Sequence, residues 1–231
     1  MNEVALNLEE IHEKIGNAAA ESGRRAEDIR LVCVSKTFPP ERVMPAYEAG
    51  ERDFGENRIQ EYTEKQKKMP ADCRWHVIGR LQTNKVKFII NNVYLLHSLD
   101  RMELAETLQK ELLKKDTTMD VLLQVNTAGE ETKAGFSVGD FPYMAEKIAG
   151  MDRIHVRGVM TVAPYTDDSE YLRAVFEKTK QLYDSVKGEN YSNFDCCWLS
   201  MGMSGDYDIA IKAGANMVRI GSAVFGSRVY K

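Results

Sequence analysis

Two patterns of hydrophobic positions alternate along the whole chain. Short apolar runs rich in β-branched residues, such as 29–35 and 120–126, are typical of buried strands. The longer segments between them carry apolar residues at helical spacing, as at Leu104 and Leu108, and Asp100 is predicted to cap that helix. This alternation predicts β-α units and a parallel sheet.

Eight strand segments follow one another without a long linker or a low-complexity tract. They are residues 29–35, 53–55, 75–79, 94–98, 120–126, 156–161, 196–200 and 217–221. An additional helix, with Leu8, Ile11 and Ile15 on one face, precedes the first of them. Eight strands predict an α/β protein with a closed (β/α)8 TIM barrel, formed by residues 1–231 as a single domain. An open doubly wound sheet produces the same alternation and is the alternative.

Composition and charge narrow the classes of function. The chain carries 31 basic and 35 acidic side chains, well interleaved, with a net charge of −4, so we expect no nucleic-acid partner. No apolar stretch approaches the roughly 20 residues that span a bilayer, and the first ten residues do not resemble a secretory signal. We therefore expect no membrane partner. The four cysteines lack C-x-x-C and zinc-site spacing, which predicts no metal centre and favours the reducing cytoplasm.

Candidate chemistry is expected where the strands end, because TIM barrels carry their active sites at the carboxyl ends of the strands. Lys36 follows the first strand. Apolar neighbours at the mouth of a barrel favour a neutral amine, which can attack an aldehyde and form a Schiff base. An ordinary solvated lysine is the alternative at this single position.

Two glycine-containing turns at neighbouring strand ends point to a phosphate. Residues 200–206 enter a helix after the seventh strand, and Gly221 follows Arg219 and Ile220 at the end of the eighth. Backbone N–H groups and hydroxyls in such turns bind anions, and the loops after strands seven and eight form the usual phosphate site of this fold. Each turn alone is also explained as a device of chain reversal. Together they predict one phosphate site.

A phosphate site and a lysine amine at one barrel mouth are the two requirements of pyridoxal phosphate, which is the cofactor that we predict. Arg219 would then face the pyridine ring and keep its nitrogen unprotonated, because a guanidinium stays charged. An unprotonated ring stabilises carbanions less well, which argues against an efficient decarboxylase or transaminase. A salt bridge at the strand end is the alternative role of Arg219.

Five other polar residues are weaker candidates. Asn57, after the second strand, is expected either to contact the ring or to stabilise a turn. His76, in the third strand, either borders the site or is a hydrogen-bonded core histidine. Asn126, Glu131 and Lys133 lie at and after the end of the fifth strand, where a solvated loop is the alternative to ligand contact.

Nine short motifs occur in order along the chain. They are Val-Ser-Lys-Thr (34–37), Phe-Gly-Glu-Asn-Arg (54–58), Trp-His-Val-Ile-Gly (75–79), Leu-Gln-Thr-Asn-Lys (81–85), Ser-Leu-Asp (98–100), Lys-Ala-Gly-Phe (133–136), Arg-Gly-Val-Met (157–160), Leu-Ser-Met-Gly-Met-Ser (199–204) and Val-Arg-Ile-Gly (218–221). With these motifs the chain resembles, over essentially its full length, the pyridoxal phosphate homeostasis protein family.

The resemblance implies a barrel similar to the N-terminal domain of alanine racemase, with pyridoxal 5′-phosphate held as a Schiff base on Lys36. It implies phosphate contacts from Ser204 and from the backbone of Ile220 and Gly221. The remaining residues that it places around the cofactor are Asn57, Met201 and Arg219.

The family is associated with balanced pools of free pyridoxal phosphate and amino acids. We therefore expect a cytoplasmic, monomeric protein that buffers this cofactor and other B6 vitamers or passes the cofactor to PLP-dependent apoenzymes. An amino-acid racemase with weak activity is the alternative. In alanine racemase the second base is a tyrosine from a C-terminal β domain, and this chain ends at Lys231, soon after the eighth predicted strand. A barrel enzyme for another phosphorylated ligand is a third hypothesis.

Overall fold

The structure is a computed structural model that describes residues 2–130 and 132–226. Its strands are β1 Arg30–Val34, β2 Asp53–Glu56, β3 Arg74–Val77, β4 Leu95–Leu99, β5 Met119–Asn126, β6 Phe136–Ser137, β7 Ile154–Met160, β8 Phe194–Ser200 and β9 Met217–Ile220. Its α-helices are α1 Glu3–Glu21, α2 Pro40–Glu48, α3 Ile59–Gln66, α4 Met102–Lys114, α5 Phe141–Ala149, α6 Ser169–Gly188, α7 Tyr207–Lys212 and α8 Ser222–Phe225. Two 3-10 helices span Ala26–Asp28 and Thr83–Phe88.

Eight of the strands form a closed parallel barrel. Around the barrel β1 pairs with β2, β2 with β3, β3 with β4, β4 with β5, β5 with β7, β7 with β8, β8 with β9, and β9 with β1. The predicted (β/α)8 barrel is therefore confirmed, and the open doubly wound sheet is wrong. The two-residue strand β6, which the sequence pattern did not predict, pairs with the end of β5 outside this ring.

The predicted N-terminal helix is present as α1, and it completes the ring of helices around the barrel. Its apolar face, which includes Leu8, Ile11 and Ile15, is buried. It packs against α7 and α8 on one side and against α2 on the other. Because α8 has only four residues, α1 fills the place that a full-length helix after the last strand would take.

Side chains fill the barrel on both faces of its sheet. The larger apolar cluster lies between the strands and the helices, as expected of a parallel sheet that helices cover. A small cluster inside the barrel consists of Val32, Leu95, Leu122, Met160 and Met217. The interior also holds buried polar side chains, among them His76, His97 and Ser200.

The segment after β3 forms the 3-10 helix Thr83–Phe88. One local prediction differs from the structure. Asp100 does not cap α4, because the helix begins after Arg101 and the Asp100 carboxylate pairs with the guanidinium groups of Arg80 and Arg101. Among the described residues, no helix combines the length and the apolar character that crossing a membrane requires.

Candidate functional site

A cavity of about 620 Å³ opens at the carboxyl ends of the barrel strands. This volume falls in the range of small-molecule sites, roughly 300–1,000 Å³. Its walls come from β1 and β9 and from the segments after β1, β3, β7, β8 and β9. The sequence-predicted residues that line it are Lys36, Ser204, Arg219 and Gly221.

Lys36 lies two residues beyond the end of β1 and is half-buried. Thr37, the next residue, has a φ of 70°, an uncommon conformation for a residue with a side chain. Its N–H donates a hydrogen bond of 2.7 Å to Oε2 of Glu61 on α3. The backbone that follows the lysine is therefore held by a carboxylate.

The backbone that precedes Lys36 is held by a buried ion pair. The ammonium of Lys65 donates to the carbonyl oxygen of Ser35 at 2.6 Å and to Oε1 of Glu56 at 2.5 Å. The hydroxyl of Ser35 donates to the same carboxylate oxygen at 2.5 Å. Lys65 is 3% exposed and Glu56 is 1% exposed. Burial raises the pKa of Glu56, and the charge of Lys65 opposes this shift.

Backbone donors converge on Ser204 at another side of the cavity. Ser204, Gly221 and Ala223 together form what we call the anion cradle. The N–H groups of Gly221 and Ala223 point at its hydroxyl oxygen, at 3.3 and 3.4 Å. These are long hydrogen bonds, so both donors can serve a stronger acceptor. An anion is such an acceptor, and the chain turns into α8 at this point.

The turn before this cradle requires a glycine. Gly202 has a φ of 95°, and a Cβ atom there would lie 2.7 Å from Cβ of Ala210 and 2.9 Å from Cα of Tyr207. The absence of a side chain therefore lets the turn after β8 lie close against α7.

Arg219 enters the cavity from β9 and is 3% exposed. Its guanidinium donates to the hydroxyl of Ser200 at 2.6 Å and to the carbonyl oxygen of Thr161 at 2.7 Å. Burial lowers the pKa of Arg219 to about 10, and the carboxylate of Asp206 opposes this shift. The guanidinium therefore remains charged at neutral pH.

Asp206 also lines the cavity, and sequence reasoning did not single it out. Its carboxylate accepts a hydrogen bond of 2.5 Å from the N–H of Met203. Burial raises the pKa of Asp206, whereas that hydrogen bond and the charges of Arg219 and Lys133 lower it. A carboxylate beside anion donors was not predictable from the turn sequence alone, because aspartate is also common in turns.

The side chains of Met201 and His76 lie apart from the cavity walls. The side chain of Met201 is fully buried in the larger apolar cluster, and so is that of Ile220, for which only a backbone contact is predicted. His76 points into the barrel, where it bonds to His97 and Asp53. These are the contacts expected of a hydrogen-bonded core histidine.

The remaining weaker candidates occupy other positions. Asn57 is exposed and lines a neighbouring cleft rather than the Lys36 cavity. Asn126 organises its own loop, because its side chain bonds to the carbonyl oxygens of Glu130 and Lys133 and to the N–H of Gly129. Glu131 lies outside the described residues. Lys133 pairs with Glu130 at 2.9 Å.

The fold and this cavity define a class of protein: a (β/α)8 barrel that presents an amine, a guanidinium and an anion cradle at one mouth. Residues 6–229 match the family model described as "Alanine racemase, N-terminal domain".

Curated relatives match nearly the whole chain. The "Pyridoxal phosphate homeostasis protein" of Aquifex aeolicus is 41% identical over 224 residues, which are 96% of this chain and 97% of that protein. The protein of the same name from Escherichia coli K12 is 38% identical over 237 aligned positions, covering 100% and 99%. The solved structure of PipY from Synechococcus elongatus with PLP bound has a TM-score of 0.79 and 29% identity, covering 92% of this chain and 100% of that one. The chain belongs to the pyridoxal phosphate homeostasis protein family.

Proposed function

We propose that this protein binds pyridoxal 5′-phosphate in the cavity beside Lys36 and serves the homeostasis of that cofactor. The observation that carries the proposal is that Lys36, Arg219, Ser204 and Gly221 line one cavity. The names of the relatives and the PLP bound to PipY support the same ligand.

The residues present fit the ligand. Bound pyridoxal phosphate supplies an aldehyde that reacts with primary amines and a phosphate that anchors it. The N–H groups of Gly221 and Ala223 and the hydroxyl of Ser204 would hold the phosphate. Lys36 would supply the primary amine with which this aldehyde reacts. Arg219 can donate hydrogen bonds to the ring but cannot accept a proton from it.

We further propose that the cofactor is stored and exchanged rather than used for turnover, with PLP-dependent apoenzymes as recipients. The relatives are named for homeostasis, which supports this role. We assign it to a monomer in the cytoplasm with residues 1–231 as one domain. The four free cysteines agree with a reducing compartment. A weak amino-acid racemase is the alternative, because the matching family model is that of alanine racemase.

An absorption spectrum tests the attachment. The protein loaded with pyridoxal phosphate should show a band near the edge of the visible range, and Lys36→Ala should lose that band. Lys67→Ala, a change at an exposed lysine on the end of α3, is the matched control and should keep the band. A Lys36→Ala protein that retains the band would contradict the role of Lys36.

Transfer and turnover separate storage from catalysis. The loaded protein should restore the activity of an apoenzyme that requires the cofactor, and it should racemise amino acids slowly or not at all. Rapid racemisation would favour the alternative function.

A further inference from the structure

A line of buried polar side chains crosses the inside of the barrel. It starts at Arg219 in the cavity, whose guanidinium donates to the hydroxyl of Ser200 at 2.6 Å. That hydroxyl lies 3.1 Å from Nδ1 of His97, and Nε2 of His97 lies 2.9 Å from Nδ1 of His76. Nε2 of His76 lies 2.8 Å from Oδ1 of Asp53. All five residues are at most 5% exposed.

The far end of this line lies at the opposite end of the barrel from the cavity. Asp53 is the first residue of β2, and its carboxylate accepts two hydrogen bonds from Arg74, the first residue of β3, at 2.9 and 2.6 Å. Arg30, the first residue of β1, lies 3.8 Å from the same carboxylate. The line therefore joins the cofactor cavity to the end where the strands begin.

The charge of Asp53 determines which atom is the donor in the hydrogen bond between Asp53 and His76. Burial raises the pKa of Asp53, but the hydrogen bonds from His76 and Arg74 and the charge of Arg30 together outweigh burial and lower the pKa to about 2. An ionised carboxylate has no hydrogen to donate, so Nε2 of His76 must carry the proton of that bond.

The neutral state of the imidazoles fixes every other donor. Burial lowers the pKa of His76 despite the opposing effect of Asp53, and it lowers that of His97 strongly, since no described carboxylate lies next to His97 to oppose it. A neutral imidazole has one N–H. Since His76 uses its N–H on Asp53, its Nδ1 must accept from Nε2 of His97. The Nδ1 of His97 must then accept from the hydroxyl of Ser200, whose oxygen accepts from Arg219.

We propose that His76 and His97 are positioning residues for Arg219, and that a one-way hydrogen-bond chain anchored on Asp53 keeps the lone pair of Ser200 directed at the guanidinium. This proposal rests on the proposed function only in so far as Arg219 faces the cofactor. The chain matters because a serine hydroxyl rotates freely. With its hydrogen committed to His97, the oxygen presents an acceptor to Arg219 before any ligand arrives.

Nitrogen-15 spectra of the protein without ligand test the direction of the chain. The spectra are recorded on histidine-labelled protein in which His12 and His155 are replaced by glutamine, so that only the two buried imidazoles remain. Both should show the neutral form with the proton on Nε2, and the pattern should not change across neutral pH. A proton on Nδ1 of either ring, or a charged ring, would overturn the proposal.

A substitution that interrupts the hydrogen-bond chain at His76 provides a second test of its direction. His76→Leu removes the Nδ1 acceptor that His97 requires, whereas Asp53 keeps its two hydrogen bonds from Arg74. The imidazole of His97 should then populate both neutral tautomers, because the Ser200 hydroxyl can donate or accept. A His97 that keeps a single Nε2–H form would show that Asp53 does not set the direction.

The effect on Arg219 is read from its guanidinium N–H signals, which Arg219→Lys identifies. In the unliganded protein they should exchange slowly with water, and Ser200→Ala should speed this exchange at least tenfold, whereas Ser200→Thr should restore it. Equal exchange in Ser200→Ala and the parent would overturn the positioning role. In the loaded protein, Ser200→Ala should raise the Kd for pyridoxal phosphate about tenfold. If the parent protein did not bind the cofactor, the proposed function would fail. The spectra of the unliganded protein would still test the direction of the hydrogen-bond chain.

Discussion

Charged side chains hold the backbone on both sides of Lys36, and two of them, Lys65 and Glu56, are buried. Lys65 and Glu56 fix the carbonyl and the hydroxyl of Ser35, and Glu61 fixes the N–H of Thr37. These contacts orient the backbone on both sides of the amine before a ligand binds. Binding then costs less conformational entropy at this residue.

Lys65→Met should destabilise the protein strongly, because it leaves the Glu56 carboxylate buried without its partner. The expected loss in the free energy of unfolding is about 3–5 kcal/mol, measured by urea denaturation. Lys67→Met is the control, since Lys67 is exposed in the same segment, and it should change the free energy by less than about 0.5 kcal/mol.

The double variant Lys65→Met/Glu56→Leu distinguishes the uncompensated charge from lost packing. It should be more stable than Lys65→Met alone, because no buried charge remains. A double variant that is less stable than Lys65→Met would contradict this explanation.

The two buried histidines predict a loss of stability in mild acid. Their folded-state pKa values lie below the ordinary value of 6.5 because of burial. Below about pH 6.5 the unfolded chain therefore binds protons at these positions that the folded chain does not, and the free energy of unfolding falls as pH falls. Each histidine contributes a slope of at most about 1.4 kcal/mol per pH unit.

His97→Gln should reduce this acid slope by the contribution of one group. The measurement is the free energy of unfolding at a series of pH values. His12→Gln is included in both proteins, because the pKa of His12 is raised by Glu51 and its contribution has the opposite sign. Identical slopes in the two proteins would mean that His97 takes up its proton in the folded state.

The sequence predicts the part of the site that lies at the carboxyl ends of the strands, where TIM barrels carry their active sites. Lys36, Ser204, Arg219 and Gly221 all follow or end a strand, and the structure brings them to one cavity. Asn57 also follows a strand, but its side chain faces the next cleft, and no property of a single residue encodes that direction. His97 and Asp53 were missed because they act in pairs across different strands, and such pairing requires the register of the barrel.

At the scale of elements, α1 links the first and last helices around the barrel. It packs against α7 and α8 from one end of the described chain and against α2 from the other. Removing buried volume from its face should therefore weaken the ring of helices where the first and last barrel strands meet.

Ile11→Ala should lower the free energy of unfolding by about 2–5 kcal/mol, because Ile11 is 3% exposed in the main apolar cluster. Leu6→Ala, on the same helix but 49% exposed, is the matched control and should cost less than about 1 kcal/mol. Thermal or urea denaturation measures both. Equal losses in the two variants would indicate that α1 does not pack through this face.

The elements that the sequence predicts are the long ones. The strands β1, β5, β7 and β9 carry several β-branched residues each, and helices such as α4 and α6 show a complete apolar stripe. The strand β6 has two residues and α8 has four, so neither is long enough to show a period. The segment Thr83–Phe88 is only six residues long, which suits a 3-10 helix.

At the scale of the whole molecule, the ligand should stabilise the fold by mass action. Free pyridoxal phosphate at 100 times its Kd should add about 2.7 kcal/mol to the free energy of unfolding, which corresponds to roughly 5–10 °C in Tm. Pyridoxal without its phosphate should give a smaller shift, because the cradle at Ser204 and Gly221 has no anion to hold. Equal shifts from both compounds would contradict the assignment of the cradle.

The pairing of β1 with β9 has a consequence for the order of folding. Lys36 follows the first barrel strand, and the anion cradle follows the last, so the two halves of the cavity are separated by nearly the whole described chain. They meet only when β1 pairs with β9 and the barrel is closed. A ligand that needs both halves therefore binds only chains that have closed, and the appearance of its signal during refolding marks the time at which closure occurs.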